Sequence, residues 1–442
     1  MKVKVVWKNA LLLLFSVLFY AWGEPRYIFL VFGQIIISYV AGILIDEYRT
    51  KAIARWALVF SLIAILAALV YFKYADFFIE NFAAATGLSI PLLRLALPVG
   101  ISFYTFEIVS YIVDLYRGHI KHQRNIITYA TYLLLFPKLI AGPIVRYYEI
   151  EADLMDRKVD IAVFSSGVRR FILGLAKKIL IANVMAQLVS IIKLSPEQTV
   201  LFTWMYVIAF AMQIYFDFSG YTDMAIGLGL MFGFRFPENF NYPYLSKSIT
   251  EFWRRWHMTL SFWFRDYVYI PLGGNRKLQI RNILIVWLLT GFWHGAAWNF
   301  IGWGLYFAIF LLIEKYFLKR LFEKVPSIVQ RVYLVLLILI SWVFFDSNNL
   351  MEAFTVIGRM FGFGVQGVVG AETLYYLRSY MIPFALALVG CTDIPKRVVG
   401  WLEQKRAVVL TVLEPVSILI LLIVITAFLV DGSFNPFIYF RF

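Results

Sequence analysis

The strongest constraint in this sequence is a succession of apolar runs long enough to cross a lipid bilayer. They fall at about 9–22, 26–45, 54–73, 96–116, 127–148, 163–192, 200–216, 219–234, 282–300, 302–318, 329–346, 376–391 and 408–430. A spanning helix needs about 20 mostly apolar residues. Within hydrocarbon, every backbone N–H and C=O must find its partner inside the protein, and helices meet that demand segment by segment. The sequence therefore predicts an all-α polytopic membrane bundle of about ten to twelve transmembrane helices, with re-entrant and interfacial helices besides. No repeat, low-complexity stretch or long linker interrupts the runs, so 1–442 reads as a single membrane-embedded domain.

Composition decides against a soluble alternative. The chain is 62% hydrophobic and 15% charged, whereas soluble domains are about half apolar and about a quarter charged. A net charge of +14 would raise nucleic acid as a partner in a soluble protein. Here the basic residues sit in short clusters between apolar runs, such as Arg49, Lys51 and Arg55, or Lys396, Arg397, Lys405 and Arg406. That pattern belongs to membrane-flanking charge, which fixes orientation and attracts anionic lipid. Membrane lipids are the expected partners and nucleic acid is not. The single cysteine, Cys391, excludes an internal disulfide and a cysteine-built zinc site. Lys2, Lys4 and Lys8 precede the run Ala10–Trp22, as in a signal peptide. Gly23, Glu24, Pro25 and Arg26 then lead directly into more apolar sequence without a small-residue cleavage site, so a retained helix is expected.

Three places depart from simple hydropathy. Phe136–Gly142 reads FPKLIAG and is followed by Pro143. Proline and glycine break helix geometry, and broken backbone at membrane depth is tolerated only inside protein or beside a cavity. A re-entrant segment carrying Lys138 is one reading and an interfacial loop the other. The run Gln213–Gly233 is long enough to span but carries Asp217 and Asp223. On a helix Ser219, Asp223 and Gly227 share a face, which suits close helix packing. Carboxylates in membranes either pair or serve function, and both readings apply to Asp217 and Asp223. From Thr250 to Ile270 the sequence TEFWRRWHMTLSFWFRDYVYI puts Trp253, Trp256, Leu260, Trp263 and Tyr267 on one helical stripe. Arg254, His257, Ser261 and Arg265 fall on another. That predicts an amphipathic helix at an interface or cavity wall, with a turn over PLGGNR.

The chain has four histidines. His119 and His122 lie in the basic stretch YRGHIKHQRN and read as solvated loop residues. His294 lies in LLTGFWHGAAWNF, flanked by Gly291, Gly295, Ala296 and Ala297. A titratable side chain inside an apolar span is a functional candidate by default, and imidazole is the usual general base near neutral pH. The residue pattern leaves catalysis, a helix–helix hydrogen bond and a relay or metal role open. His257 is the second candidate, distant enough in sequence to meet His294 in one cavity. There is no GxSxG elbow and no P-loop, which removes serine-hydrolase and ATP-pump readings.

The strings YFDFSGYTDMAIGLGLMFGFRFPENFNYPY, FWRRWHMTLSFWFRDYVYIPLGGNR and GFWHGAAWNF stand in that order, with FYAWGEPRY, FPKLIAGPIVRY and a C-terminal NPFIYFRF. Over essentially the whole chain the sequence resembles the membrane-bound O-acyltransferase family, and within it the alginate O-acetyltransferase branch. Members of that branch have a further hydrophobic helix before the FYAWGEP region. This chain begins almost directly at that region, which makes either that helix dispensable or the recorded start a downstream one.

The resemblance implies a ring of helices around a tunnel that crosses a cytoplasmic membrane. By motif, His294 corresponds to the family's catalytic histidine and His257 to the second histidine of the branch. His294 is expected to take the acceptor hydroxyl's proton or to carry the acyl group transiently. His257 would orient a substrate or donate to a developing oxyanion. Trp293, Trp256, Asp217, Asp223, Lys138, Arg254 and Ser261 are the substrate-binding candidates. No metal and no resident cofactor are expected. Acetyl-coenzyme A is the implied acyl donor, with an acyl carrier protein as the variant. The implied partner is an extracytoplasmic acetyltransferase of the SGNH type or a polysaccharide synthesis and export complex. D-alanyl transfer to teichoic acid, and a non-enzymatic transporter or flippase, are the competing readings.

Overall fold

The computed structural model describes residues 4–432 and 435–437. Lys2 of the N-terminal basic group and residues 438–442 of the NPFIYFRF motif lie outside the described residues. Eight helices among the described residues are long and apolar enough to cross a membrane. They are Val5–Gly23, Ile28–Glu47, Ala52–Thr86, Ile161–Leu194, Val200–Met231, Trp298–Phe322, Ser327–Asp346 and Thr411–Asp431. Extended pairing among the described residues is confined to a bridge between Thr199 and Gly367.

The expected ten to twelve spans condense where apolar runs merge or break. The runs 200–216 and 219–234 form one helix, Val200–Met231. The run 127–148 splits into Ile126–Leu134 and Phe136–Leu139, with Leu135, two residues before Pro137, out of helical geometry (φ −53°, ψ 106°). Proline lacks the N–H to continue the ladder and its ring crowds the carbonyl of the preceding turn, so it is accommodated at the start of a new helix.

The chain divides into two compact units. The first comprises the residues up to Val168 with Ala225–Glu238 and Phe262–Pro271. Its surface inverts the soluble pattern. Leu11, Leu14, Phe15, Leu18 and Phe29 are exposed, while Asn9, Ser16, Gln34 and Ser38 are buried. Lipid solvates the apolar side, and Asn9, Ser16 and Ser38 make hydrogen bonds between helices. Asn9 donates to Thr128 Oγ1 at 3.2 Å and to the Leu154 carbonyl at 3.0 Å, and Tyr129 donates to Ser38 at 2.7 Å. The broken FPKLIAG segment is held by a buried ion pair between Lys138 and Glu107. Glu107 also accepts from the Val145 amide at 3.3 Å, and the Lys138 ammonium lies 4.9 Å from the Tyr132 ring centroid. Gly142 is required there: a Cβ would stand 2.5 Å from Lys138 Cα.

The second unit comprises Arg169–Met224, Asn239–Ser261 and the chain from Leu272 onward. Helices Gln279–His294 and Trp298–Ile313 form a tight hairpin. They touch backbone to backbone. A Cβ at Gly291 would lie 2.3 Å from the Phe300 carbonyl oxygen, and one at Gly304 2.3 Å from the Trp287 carbonyl oxygen. Such small-residue contact is how helices associate where lipid removes the hydrophobic driving force. Asn299, just inside the second helix, donates to the Phe344 and Ser347 carbonyls at 3.2 and 2.8 Å. These are end carbonyls of Ser327–Asp346 and its cap, groups a helix leaves unsatisfied. Gly291→Ala is expected to lower stability by about 1–3 kcal/mol through overpacking. The thermal midpoint of the detergent-solubilised protein reads it, and an unchanged midpoint would show that the hairpin yields freely.

Candidate active site

The predicted amphipathic helix over 250–270 is not continuous. Ile249–Trp253 is one short helix, Met258–Phe264 another, and Arg265–Tyr269 a π-helical turn. The break falls on Arg254–His257, and His257 itself has φ +42°. A non-glycine residue in this left-handed region carries strain and requires local compensation. The stripe pattern could not reveal the break, because the aromatic residues Trp253, Trp256 and Trp263 are buried before, within and after it.

Asn239 supplies the compensation. Its backbone carbonyl accepts from the Met258 amide at 2.9 Å. Its side-chain Oδ1 accepts from the Thr259 amide at 3.2 Å and from Thr259 Oγ1 at 2.9 Å. The same Oδ1 lies 3.1 Å from His257 Nδ1. Orphan amides at the start of Met258–Phe264 are thus capped by a residue from an earlier loop. Both His257 and Asn239 are fully buried.

His294 is the last residue of Gln279–His294 and is 4% exposed. Its ring packs on Trp293 and Trp303 at 4.9 Å each and on Phe345 at 5.2 Å. The His257 ring stands edge-on to Phe218 at 4.7 Å and lies 6.1 Å from Trp293. Trp293 therefore touches both imidazoles, and the second unit brings His257, Trp293 and His294 into one aromatic-lined neighbourhood.

The other sequence candidates have surroundings of their own. Trp256 is buried among Tyr215, Phe240, Phe252 and Trp342 and supports the wall. The Ser261 amide donates to the His257 carbonyl at 3.1 Å. Arg254 is exposed. Asp217 pairs with Lys178 at 2.5 Å, both buried, and Asp223 pairs with Arg170 at 2.9 Å and Lys177 at 2.6 Å. The partners come from the preceding helix, not the following one. Lys138 belongs to the first unit and pairs with Glu107. His122 is less of a loop residue than the basic stretch implied: Nδ1 is 3.1 Å from Tyr111 Oη and its ring packs on Tyr39. Residue pattern missed Asn239, Phe218, Trp303 and Phe345.

His257 lies outside the eight candidate spans, and burial pushes its pKa down to about 3. It is therefore a neutral imidazole at physiological pH. An unfolded histidine titrates near 6.5, so the unfolded chain binds the extra proton first as pH falls. Stability rises with pH between about 3 and 6.5 and is lost on acidification through that window, by up to about 1.4 kcal/mol per pH unit. The wild type should accordingly lose about 2 kcal/mol relative to His257→Gln between about pH 7 and 5. Parallel acid dependence of the two thermal midpoints would show that His257 is not held neutral by the fold.

The model for the membrane-bound O-acyltransferase family matches residues 115–346, a stretch that contains both histidines. The chain is 37% identical to a probable alginate O-acetylase of Azotobacter vinelandii over 99% of this chain and 95% of that protein. The chain belongs to the membrane-bound O-acyltransferase family. It is 35% identical to a peptidoglycan O-acetyltransferase of Helicobacter pylori over 79% of this chain and 73% of that one. With a teichoic acid D-alanyltransferase of Bacillus subtilis the likeness is 33% and covers 52% of this chain and 62% of the relative. This family member is thus a multi-pass helical membrane enzyme that transfers acyl groups, and the transporter reading falls.

Proposed function

We propose that this acyltransferase moves an acetyl group from a cytosolic thioester across a cytoplasmic membrane to hydroxyls of an extracytoplasmic polysaccharide, directly or through a partner acetyltransferase of the SGNH type. The observation that carries the reading is the pair of buried imidazoles sharing the Trp293 ring. Transfer from thioester to hydroxyl needs a group that receives the hydroxyl proton as the new bond forms and a group at the thioester carbonyl where negative charge develops. A dry aromatic enclosure strengthens such interactions and excludes the water that would hydrolyse the donor. His294 suits the carbonyl: it ends a helix, where aligned peptide dipoles favour positive charge. In that position it either donates to the oxyanion or receives the acyl group before passing it on.

Acetyl-coenzyme A is the proposed donor, since similarity to the acetyltransferases spans far more of the chain than similarity to the D-alanyltransferase. Lys138, Arg254 and Ser261, with Asp217 and Asp223, remain proposed substrate contacts of a second order, because the four charged side chains among them are held in ion pairs or, for Arg254, exposed. Purified protein, given radiolabelled acetyl-coenzyme A and a glycan acceptor, with and without an acetyltransferase of the SGNH type, is expected to move label from the thioester. Turnover of a D-alanyl carrier-protein thioester in its place would overturn the acetyl assignment.

A further inference from the structure

A cleft of about 540 Å³ opens in the second unit beside the start of helix Val200–Met231, within the size range of small-ligand sites. One wall is the amphipathic helix Leu350–Met360. It turns Glu352, Thr355 and Arg359, at helical spacing, into the cleft and leaves Phe354 exposed on its other side. The facing wall holds Glu197, Gln198, Phe202 and Tyr206. This wall is fixed in advance. The Glu197 carboxylate accepts from the Glu372 and Thr373 amides at 2.9 and 3.0 Å, and the Gln366 amide donates to the Gln198 carbonyl at 2.8 Å. The cleft is also tied to the candidate active site. Lys193 and Tyr206, which line it, bind the Asp346 carboxylate at 2.6 and 2.5 Å, and the preceding residue, Phe345, packs on His294.

Of the charged side chains lining the cleft, Glu197 and Lys193 are already paired. Arg359 has no hydrogen-bond or ion-pair partner among the described residues. Glu352 Oε2 accepts from the Asn348 amide and Nδ2 at 2.8 and 2.9 Å, while its Oε1 has no partner among the described residues. The two side chains are about 10 Å apart along the helix, at 1.5 Å per residue. A ligand that fits must donate at the Glu352 end and accept at the Arg359 end. Sugar hydroxyls donate and accept, and a carboxylate matches the guanidinium fork. A phosphate diester has no hydrogen to offer Glu352. Lys319, Arg320, Lys324 and Arg331 flank the loop between Trp298–Phe322 and Ser327–Asp346, whereas residues 347–349 at the opposite end carry no Lys or Arg. Short basic loops stay cytoplasmic, so the cleft opens on the extracytoplasmic side. We infer that it is a carbohydrate subsite that holds a carboxylate-bearing sugar polymer beside the membrane, with Arg359 on the carboxylate and Glu352 on hydroxyls. The inference rests on the proposed polysaccharide acceptor, and it applies whether transfer is direct or through a partner.

The test is a calorimetric titration of the full chain in phosphatidylcholine nanodiscs, with a short oligouronate as the probe and no thioester present. Wild type should bind it, and Arg359→Ala should bind about tenfold or more weakly, because a charge-assisted hydrogen-bonded pair is lost. Arg359→Lys keeps the charge without the fork and should fall between the two. Thr355 is exposed, so Thr355→Trp should fold, fill the cleft and abolish binding with both charges in place. Failure of the wild type to bind overturns the inference, as does binding by Arg359→Ala or Thr355→Trp equal to wild type. Labelled phosphatidylglycerol retained by the wild type and lost from Arg359→Ala, with no oligouronate bound, would assign the cleft to a lipid headgroup and overturn it too. The titration needs no turnover, so the two readings separate. A wild type that binds the sugar and moves no acyl group from any thioester overturns the acetyl-transfer reading, and one that transfers acetyl without binding the sugar overturns the subsite.

Discussion

Replacing His294 by alanine is expected to lower acyl transfer by about 10³-fold or more while the protein stays folded. The His294 ring packs on Trp293, Trp303 and Phe345, and none of these three carries an ionisable group that could take over proton transfer or covalent catalysis. Truncation leaves a cavity in a rigid wall, and the expected structural loss is about 1–3 kcal/mol. His294→Gln fills the space and keeps a hydrogen-bond donor without a titratable nitrogen. If His294 acts only by donating to the oxyanion, the glutamine variant should recover part of the rate; if it carries the acyl group, it should recover none. Wild-type turnover in a folded His294→Ala protein, measured with labelled acetyl-coenzyme A, would remove His294 from the chemistry.

Lys178→Ala is expected to destabilise the protein by about 3–5 kcal/mol, the largest effect on stability anticipated here. Lys178 and Asp217 meet at 2.5 Å with side chains 7% and 2% exposed. Removing the lysine takes the paired positive charge away from a carboxylate that is 2% exposed, and a buried charge that loses its counter-charge is costly. The helices that carry the pair approach through glycine: a Cβ at Gly174 would stand 2.6 Å from the Gly220 carbonyl oxygen, so little room remains for rearrangement. Asp217 also adjoins Phe218, whose ring packs on His257 at 4.7 Å. Loss of the pair should therefore depress activity as well as the thermal midpoint. The double variant Lys178→Met with Asp217→Leu removes both charges and should recover most of the stability. A double variant no better than Lys178→Ala would show that the pair's specific bonds, and not the stranded charge, hold these helices together.

Much of the candidate site is legible in the sequence. His294 stood out because an ionisable group in an apolar run carries a solvation cost that needs a reason. His257 stood out mainly through the family resemblance, since one histidine on an apparent amphipathic helix is unremarkable. Asp217 and Asp223 left two readings open, and the ion pairs to Lys178, Arg170 and Lys177 account for both carboxylates structurally. Their partners lie some forty to fifty residues away in the chain, beyond the reach of any local periodicity. Asn239 was invisible for the same reason: its oxygen serves Thr259 and His257 across a gap of eighteen to twenty residues.

What the chain alone determined is what depends on local composition and spacing: helices that cross a membrane, the glycine-flanked His294, and the ordered motifs shared with a family of acyltransferases. Hydrophobicity and helical period act within one segment, so they can be read from one segment. The break at Arg254–His257, the positive φ of His257, the cap from Asn239 and the meeting of two imidazoles on one tryptophan were decided only by tertiary structure. Each depends on a hydrogen bond or ring contact between residues distant in sequence, and such contacts exist only once the helices have packed.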